Sequence, residues 1–283
     1  MSAISKDDVL NLREKTGAGL IDCKRALIES TGDLDEAVSI LRKKGIASAA
    51  KKAGRDAGEG IIAQSLAADK SKGVLVEVNC ETDFVAKNED FVAFANEIAQ
   101  KLLEEPNADF ESERTEQVAK IGENIRISRS QALEPKESGL VESYVHTGAK
   151  VAVLLSMGTG SPSASSDSKV LSLAKDLCMH IAATSPVCVS RDDVPEDLVA
   201  KEKDIAAAQA EGKPPQAIEK IIQGKLEKYF SNSCFLEQPF VKDPDHTIKQ
   251  LLNATSQEVG TELTVESFIR FQVGEDSWIA LRM

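Results

Sequence analysis

Aromatic residues are scarce: Phe, Tyr and Trp together make up 4% of the 283 residues, and there is a single Trp. Any core must therefore be mostly aliphatic, and the 42% hydrophobic share is large enough to supply one. Long apolar runs are missing, and no stretch approaches the roughly 18 residues of a membrane span. The opening MSAISKDDVL lacks the basic and apolar regions of a secretory leader. No membrane association is expected. Cysteine spacing is uninformative as a framework, because Cys23, Cys80, Cys178, Cys188 and Cys234 are odd in number and form no CxxC pair. They read as reduced, buried thiols of a cytoplasmic protein. His146, His180 and His246 are too dispersed to build a metal site with them. His180, in a helical stretch beside Cys178 and Met179, reads as a packing residue. No P-loop, Rossmann fingerprint, nucleophile elbow or kinase signature occurs, and no carboxylate pair stands out among so many acids. No catalytic residue, metal ligand or cofactor is expected.

Positive charge is also short. Thirty-four Lys and Arg face 46 Asp and Glu, a formal net of -12, which argues against a chain-wide nucleic-acid binder. The deficit is uneven. Residues 1–54 hold ten basic against eight acidic groups, so the remainder carries all of the excess acid. A slightly basic head on an acidic body implies separate modules. Where the head runs into the following segment, Lys43, Lys44, Lys51, Lys52 and Arg55 read as a solvated helix face, with weak contact to RNA or an acidic partner as the alternative.

What is present is patterned. Ser5 and Asp8 have the spacing of a capping box before an apolar-periodic helix that Thr16-Gly17-Ala18-Gly19 stops. A second helix runs from about Leu20 to Ser30. A third, capped by Asp33 with Glu36, is expected to reach Gly45, and residues 46–60 read as a short helix fraying into a linker. Three helices in so short a span predict a compact bundle of the ubiquitin-associated type, a common protein-binding unit. Strands are predicted at Gly60–Ala67 and Gly73–Cys80, then helices from Phe91 and near Glu111–Ile121, and a strand around Asn124–Ser130. The hairpin-then-helix pattern recurs with strands at Leu140–His146 and Lys150–Ser156 and a helix at Lys169–Ala183. Residues 194–230 differ: two charged helices joined by Gly212-Lys213-Pro214-Pro215 form a helical hairpin that buries little by itself. A helix at Thr247–Val259 and a strand at Val265–Val273 close the pattern. The expected class is α+β: a three-helix head, a two-part antiparallel β core with packed helices, and an inserted antiparallel helical hairpin. The expected modules are 1–54, 55–139, 140–190, 191–230 and 231–283.

One loop is unusual. Thr82-Asp83-Phe84-Val85 sets a bulky aromatic beside an acid between a strand and a helix. One reading is a capped helix start, with Thr82 or Asp83 as the cap and Phe84 covering the core. The other is an exposed Phe that anchors in a partner's pocket. The tetrapeptide alone leaves both open.

Larger motifs carry a resemblance. LREKTGAGLIDCKRAL at 12–27, VNCETDFVAKNEDF at 78–91, KIGENI at 120–125, HIAATSP at 180–186 and QPFVKDP at 238–244 together resemble bacterial translation elongation factor Ts. That resemblance spans nearly the whole chain and implies a guanine-nucleotide exchange factor for elongation factor Tu. It implies that Thr82, Asp83, Phe84 and Val85 reach the partner's GTPase domain near its Mg²⁺ site. Arg13, Leu20 and Ile21 match head positions that contact the same domain, and His146 lies in a contact region of the second subdomain. Leu20 and Ile21 stand where the family often has methionine, which keeps apolar character and reduces side-chain flexibility. The partner implied is elongation factor Tu, with no stable nucleic-acid binding. Self-association through the helical hairpin, as a homodimer or a 2:2 complex, stays open. The competing reading is a ubiquitin-associated-type adaptor that binds without accelerating nucleotide release.

Overall fold

The structure, a computed structural model, describes residues 4–275. Residues 276–283 of the expected 231–283 module lie outside the described residues. The α+β class is as expected, with helices packed on small sheets. The chain divides into two compact units, one gathering the chain up to Ala63 with Val76–Ser130, the other Gln64–Leu75 with the chain from Gln131 onward. No helix among the described residues is long and apolar enough to cross a membrane.

The first unit opens with α1 (Lys6–Thr16), α2 (Leu20–Glu29) and α3 (Leu34–Lys52). The capping box is present: the Asp8 amide donates to Ser5 Oγ, and the Ser5 amide donates back to Asp8 Oδ2, each at 3.1 Å. The Ser5 hydroxyl also donates to Asp8 Oδ2 at 2.7 Å, and together with the Ser5 amide it holds the Asp8 carboxyl below the ordinary aspartate range. Gly17 ends α1 in the left-handed region at φ 65°, where a side chain would be strained. Leu12, Cys23, Ala26, Leu27, Ala37 and Ile40 form the head's core, an aliphatic one as the composition requires.

The third helix does not stop at Gly45. It runs unbroken to Lys52 and absorbs residues 46–52 of the segment read from sequence as a separate fraying helix. Gly45 is buried, and a Cβ built there would sit 3.2 Å from the Ala119 Cβ of α6 (Glu111–Ile121). A mid-helix glycine costs about 1 kcal/mol against alanine. Here it permits close helix–helix packing, so the sequence signal for a stop marks an approach instead. The basic cluster lies on the solvent side of this helix and the turn after it. There Lys44 pairs with Glu29 at 2.7 Å, and Arg55 reaches Glu81 at 3.4 Å.

A three-stranded sheet has the order β1-β2-β3, from β1 (Glu59–Leu66), β2 (Gly73–Cys80) and β3 (Arg126–Leu133). Every residue of the central β2 is buried, including Glu77 and Asn79. Their polarity is satisfied: Arg129 Nε donates to Glu77 Oε2 at 2.7 Å, and Asn79 Nδ2 donates to Glu77 Oε1 at 3.0 Å. The strand leads through α4 (Asp83–Ala86), a single helical turn, into α5 (Glu89–Glu104). Phe91, Phe94, Ile98 and Leu102 on α5 recur at helical spacing and are all buried.

In the second unit, β4 (Gly139–Val145) and β8 (Leu263–Gln272) flank β5 (Val151–Thr159), both antiparallel to it. The returning last strand is as expected. Helices α7 (Ser168–Thr184) and α10 (Ile248–Val259) cover the sheet over Val153, Leu155, Leu173, Leu177, Ile181 and Leu252. A small ribbon pairs β6 (Pro239–Phe240) with β7 (Asp243–Thr247).

His180 is fully buried in this unit, as read from its neighbours. The Val241 amide donates to Nδ1 at 3.3 Å, so the proton is on Nε2, which donates to Gln238 Oε1 at 2.9 Å. Burial pushes the His180 pKa down, which keeps the ring neutral. Phe235 and Phe240 stack around it at centroid distances of 5.6 and 6.0 Å. Two of the motifs singled out above, HIAATSP and QPFVKDP, therefore meet as one buried packing cluster.

The helical hairpin consists of α8 (Glu196–Gln209) and α9 (Pro215–Ser233). It leaves and rejoins the unit side by side, where Cys188 and Cys234 form an isolated parallel bridge with their Sγ atoms 3.7 Å apart. A satellite cluster of Cys188, Val194 and Cys234, with Tyr229 and Phe230 packed on it, seals this neck. Arg191 braces it, donating to Glu227 at 2.9 Å, pairing with Glu237, and stacking 4.7 Å over the Phe230 ring. All five cysteines are buried, in line with the sequence reading, and none is joined in a disulfide.

Candidate functional site

The Thr82–Val85 segment is built by a strand end and two successive caps. Thr82 has extended backbone (φ -127°, ψ 153°), and its Oγ1 accepts from the Val85 amide at 3.4 Å, so it caps the one-turn helix α4. Six residues later Asn88 caps α5, its Oδ1 accepting from the Asp90 and Phe91 amides at 2.9 and 3.3 Å. Both ends of the turn are thus pinned. Between them Ala86 is buried, whereas Phe84 is 82% exposed, more than any other large apolar residue among the exposed ones described. The cap half of the first sequence reading is observed, with Thr82 in the role. The core half is not: Phe84 faces solvent and covers nothing, because the single turn directs Ala86 inward in its place.

Two residues that the sequence reading gave no role hold the base of this turn. Glu123 Oε2 accepts from the Glu81 and Thr82 amides, both at 3.0 Å, and Glu123 Oε1 accepts from the Thr82 hydroxyl at 2.7 Å. In the reverse direction the Asn124 amide donates to Glu81 Oε1 at 2.6 Å. The signal was the KIGENI motif, which carries Glu123 and Asn124 but sits about 40 residues from its contacts. At the turn itself Lys87 Nζ lies 2.8 Å from Asp83 Oδ2, and that hydrogen bond raises the lysine pKa. The site is an exposed aromatic on a turn whose backbone is fixed from below.

Of the head residues, Arg13 lies on the last turn of α1 and is exposed, and its carbonyl accepts the Gly17 amide at 2.7 Å. Leu20 and Ile21 open α2 and are 44% and 69% exposed, while Cys23 and Leu27 of the same helix fill the core. The three residues flank the α1–α2 corner, Arg13 on the last turn before it and Leu20 and Ile21 on the first turn after it. His146 belongs to the other unit, on the turn between β4 and β5. It is exposed, with Nδ1 2.9 Å from the Tyr144 hydroxyl.

The family profile for elongation factor Ts matches residues 81–275, a stretch that begins at the base of the exposed turn. The chain belongs to the elongation factor Ts family. Elongation factor Ts of Clostridium botulinum (strain Loch Maree / Type A3) is 43% identical over 290 residues, covering 96% of this chain and 93% of that protein. Elongation factor Ts of Clostridium perfringens (strain SM101 / Type A) is 44% identical over 289 residues with the same coverage. The relatives thus include the head, which the elongation factor Ts profile leaves out. Membership sets the chain among the elongation factors of protein biosynthesis.

Proposed function

We propose that the protein is the guanine-nucleotide exchange factor for elongation factor Tu: it binds the GDP complex and accelerates GDP release so that GTP can follow. The observation that carries this reading is Phe84, bare to solvent on a turn pinned by Thr82 and Asn88. A solvent-facing Phe forgoes about 1.5–3 kcal/mol of burial. A fixed turn that presents one has the form of an anchor prepared for a partner's pocket. GDP in a GTPase is held largely by backbone amides at its phosphates and by Mg²⁺ bridging phosphate and protein oxygens. A wedge that displaces the groups holding Mg²⁺ leaves phosphate charge less neutralised, and GDP departs faster. Lowering the dissociation barrier by ~4 kcal/mol gives roughly a thousandfold acceleration. Linkage then requires nucleotide to weaken the factor's binding to the same degree. No covalent step is involved, so the protein acts without catalytic residues or a cofactor of its own.

In this reading Thr82, Asp83, Phe84 and Val85 form the wedge. Arg13, Leu20 and Ile21 supply a second contact with the same GTPase domain, and His146 a further one. The head, residues 1–54, serves as a ubiquitin-associated-type binding bundle, and the modules 55–139, 140–190, 191–230 and 231–283 follow it. The protein acts in the cytoplasm, without stable nucleic-acid binding. Stopped-flow release of a fluorescent GDP from elongation factor Tu, with and without this protein, is the deciding experiment. An adaptor would bind the GTPase and leave the release rate unchanged.

Leu20→Asp is expected to weaken binding to elongation factor Tu while the head stays folded, since the side chain is exposed above a core that does not include it. Loss of a central contact typically costs more than 1 kcal/mol. Titration calorimetry reads the affinity, and circular dichroism melting reads the fold; an early head transition would return Leu20 to the core.

The helical hairpin is expected to be dispensable for exchange and to serve self-association as a homodimer or within a 2:2 complex. Ala206 is the buried residue of α8, and the Ile218, Ile221, Ile222 and Leu226 stripe of α9 is only half covered. Joining residue 190 to residue 234 through a short Gly/Ser linker should lower the mass seen by light scattering and leave GDP release close to the parent rate. Lost exchange at unchanged mass contradicts both halves.

A further inference from the structure

We infer that Glu123 is the positioning residue of the exposed turn and acts through the hydroxyl of Thr82. The inference rests on the reading of Phe84 as the exchange element.

The Thr82 hydroxyl has one proton to donate and lone pairs to accept with. Its proton goes to Glu123 Oε1 at 2.7 Å, and a lone pair is thereby left for the Val85 amide at 3.4 Å, the hydrogen bond that closes the turn. A threonine hydroxyl with no acceptor beneath it rotates freely and donates to water in any direction, so its cap holds only part of the time. The other carboxylate oxygen grips the Glu81 and Thr82 amides at 3.0 Å each and fixes the backbone that enters the turn. One side chain therefore takes three donors from two consecutive residues. An ionised carboxylate suits that task because it is an acceptor only, with room for several donors. The grip is reciprocal, since Glu81 Oε1 takes the Asn124 amide at 2.6 Å and also Arg55 Nη1 at 3.4 Å. The chain of contacts runs from Glu123 to Thr82 Oγ1, from there to Val85 N, and so to the turn that displays Phe84. Its effect is to order the turn before docking, which lowers the ordering cost of insertion.

Chemistry separates two substitutions. Glu123→Ala removes all three acceptor contacts. Glu123→Gln keeps one oxygen for the two amides but sets an NH₂ group, a donor only, against the hydroxyl. The hydroxyl must then offer one lone pair to that group and send its proton elsewhere, so it loses the charge-assisted bond that orients it and the cap is weakened while the backbone grip survives. A graded series follows, with wild type above Glu123→Gln and Glu123→Ala lowest.

The test uses the full chain and records stimulated release of fluorescent GDP from elongation factor Tu against protein concentration. In parallel, hydrogen exchange is followed at the Val85 and Ala86 amides. For Glu123→Ala the plateau rate should fall about fivefold, the size of a lost cap of ~1 kcal/mol. The half-saturating concentration should barely move, because the head contacts remain, and Val85 and Ala86 should lose protection. Glu123→Gln should fall between. Thr82→Val, nearly isosteric but without the hydroxyl, should reproduce the loss of plateau and of Val85 protection. It decides the matter where Glu123→Ala melts the whole unit. Retained Val85 protection in Glu123→Ala, or a wild-type plateau in Thr82→Val, overturns the inference. Should the wild-type protein itself fail to accelerate release, the exchange reading falls, and the amide protections alone still judge the positioning role.

Discussion

Phe84→Ala is expected to slow stimulated GDP release by at least about tenfold, the equivalent of roughly 1.4 kcal/mol of lost barrier reduction. Its melting temperature should hardly change, because the ring is 82% exposed and supports no core. Asp83→Ala should act in the same direction more weakly, by freeing the end of the turn that Lys87 now ties at 2.8 Å. The dependence on Mg²⁺ adds a second readout. Excess Mg²⁺ should partly oppose wild-type exchange and have less left to oppose in Phe84→Ala, if displacement of the ion is what the ring accomplishes. A Phe84→Ala protein that melts early, yet exchanges at the wild-type rate per folded molecule, would falsify the wedge.

Phe91→Ala, seven residues along, should do the reverse. Phe91 is fully buried on the first turn of α5, and emptying such a site costs about 3–5 kcal/mol of stability. Urea unfolding should show that loss as a lower midpoint with little change in slope. Release measured per folded molecule should stay close to wild type, since Thr82 and Asn88 still fix the turn. Two identical substitutions at two phenylalanines of one short segment thus separate binding from folding. Equal effects of the two on stability would mean that Phe84 is packed in solution.

What the sequence made legible was local. The Ser5–Asp8 capping box, the Gly17 stop and the row of Phe91, Phe94, Ile98 and Leu102 depend on residues within a few positions of one another, and each lies where its spacing implies. The burial of His180 was readable from its helix, although its partners Gln238 and Val241 were not. The errors have one cause. Gly45 carries the usual helix-stop signal, yet its meaning depends on Ala119, a residue that only the fold brings near. Glu123 looked like one acid among many because its three donors lie about 40 residues upstream. Phe84 was ambiguous for a related reason. A four-residue turn is too short for periodicity to say which way a side chain points, and the buried Ala86 settles it only in three dimensions.

The neck at Cys188 and Cys234 has a consequence for how this protein can vary. Because the helical hairpin departs and returns at neighbouring positions, its length is decoupled from the register of the β4-β5-β8 sheet. Matched insertions or deletions of whole turns in α8 and α9 change the reach of the arm, at about 1.5 Å per residue, without shifting a strand. An arm of 14 residues on its first side already extends roughly 20 Å. Length along this one direction is therefore free for lineages to adjust and for engineers to calibrate, with the bend at Gly212 as the natural place for a label or a graft.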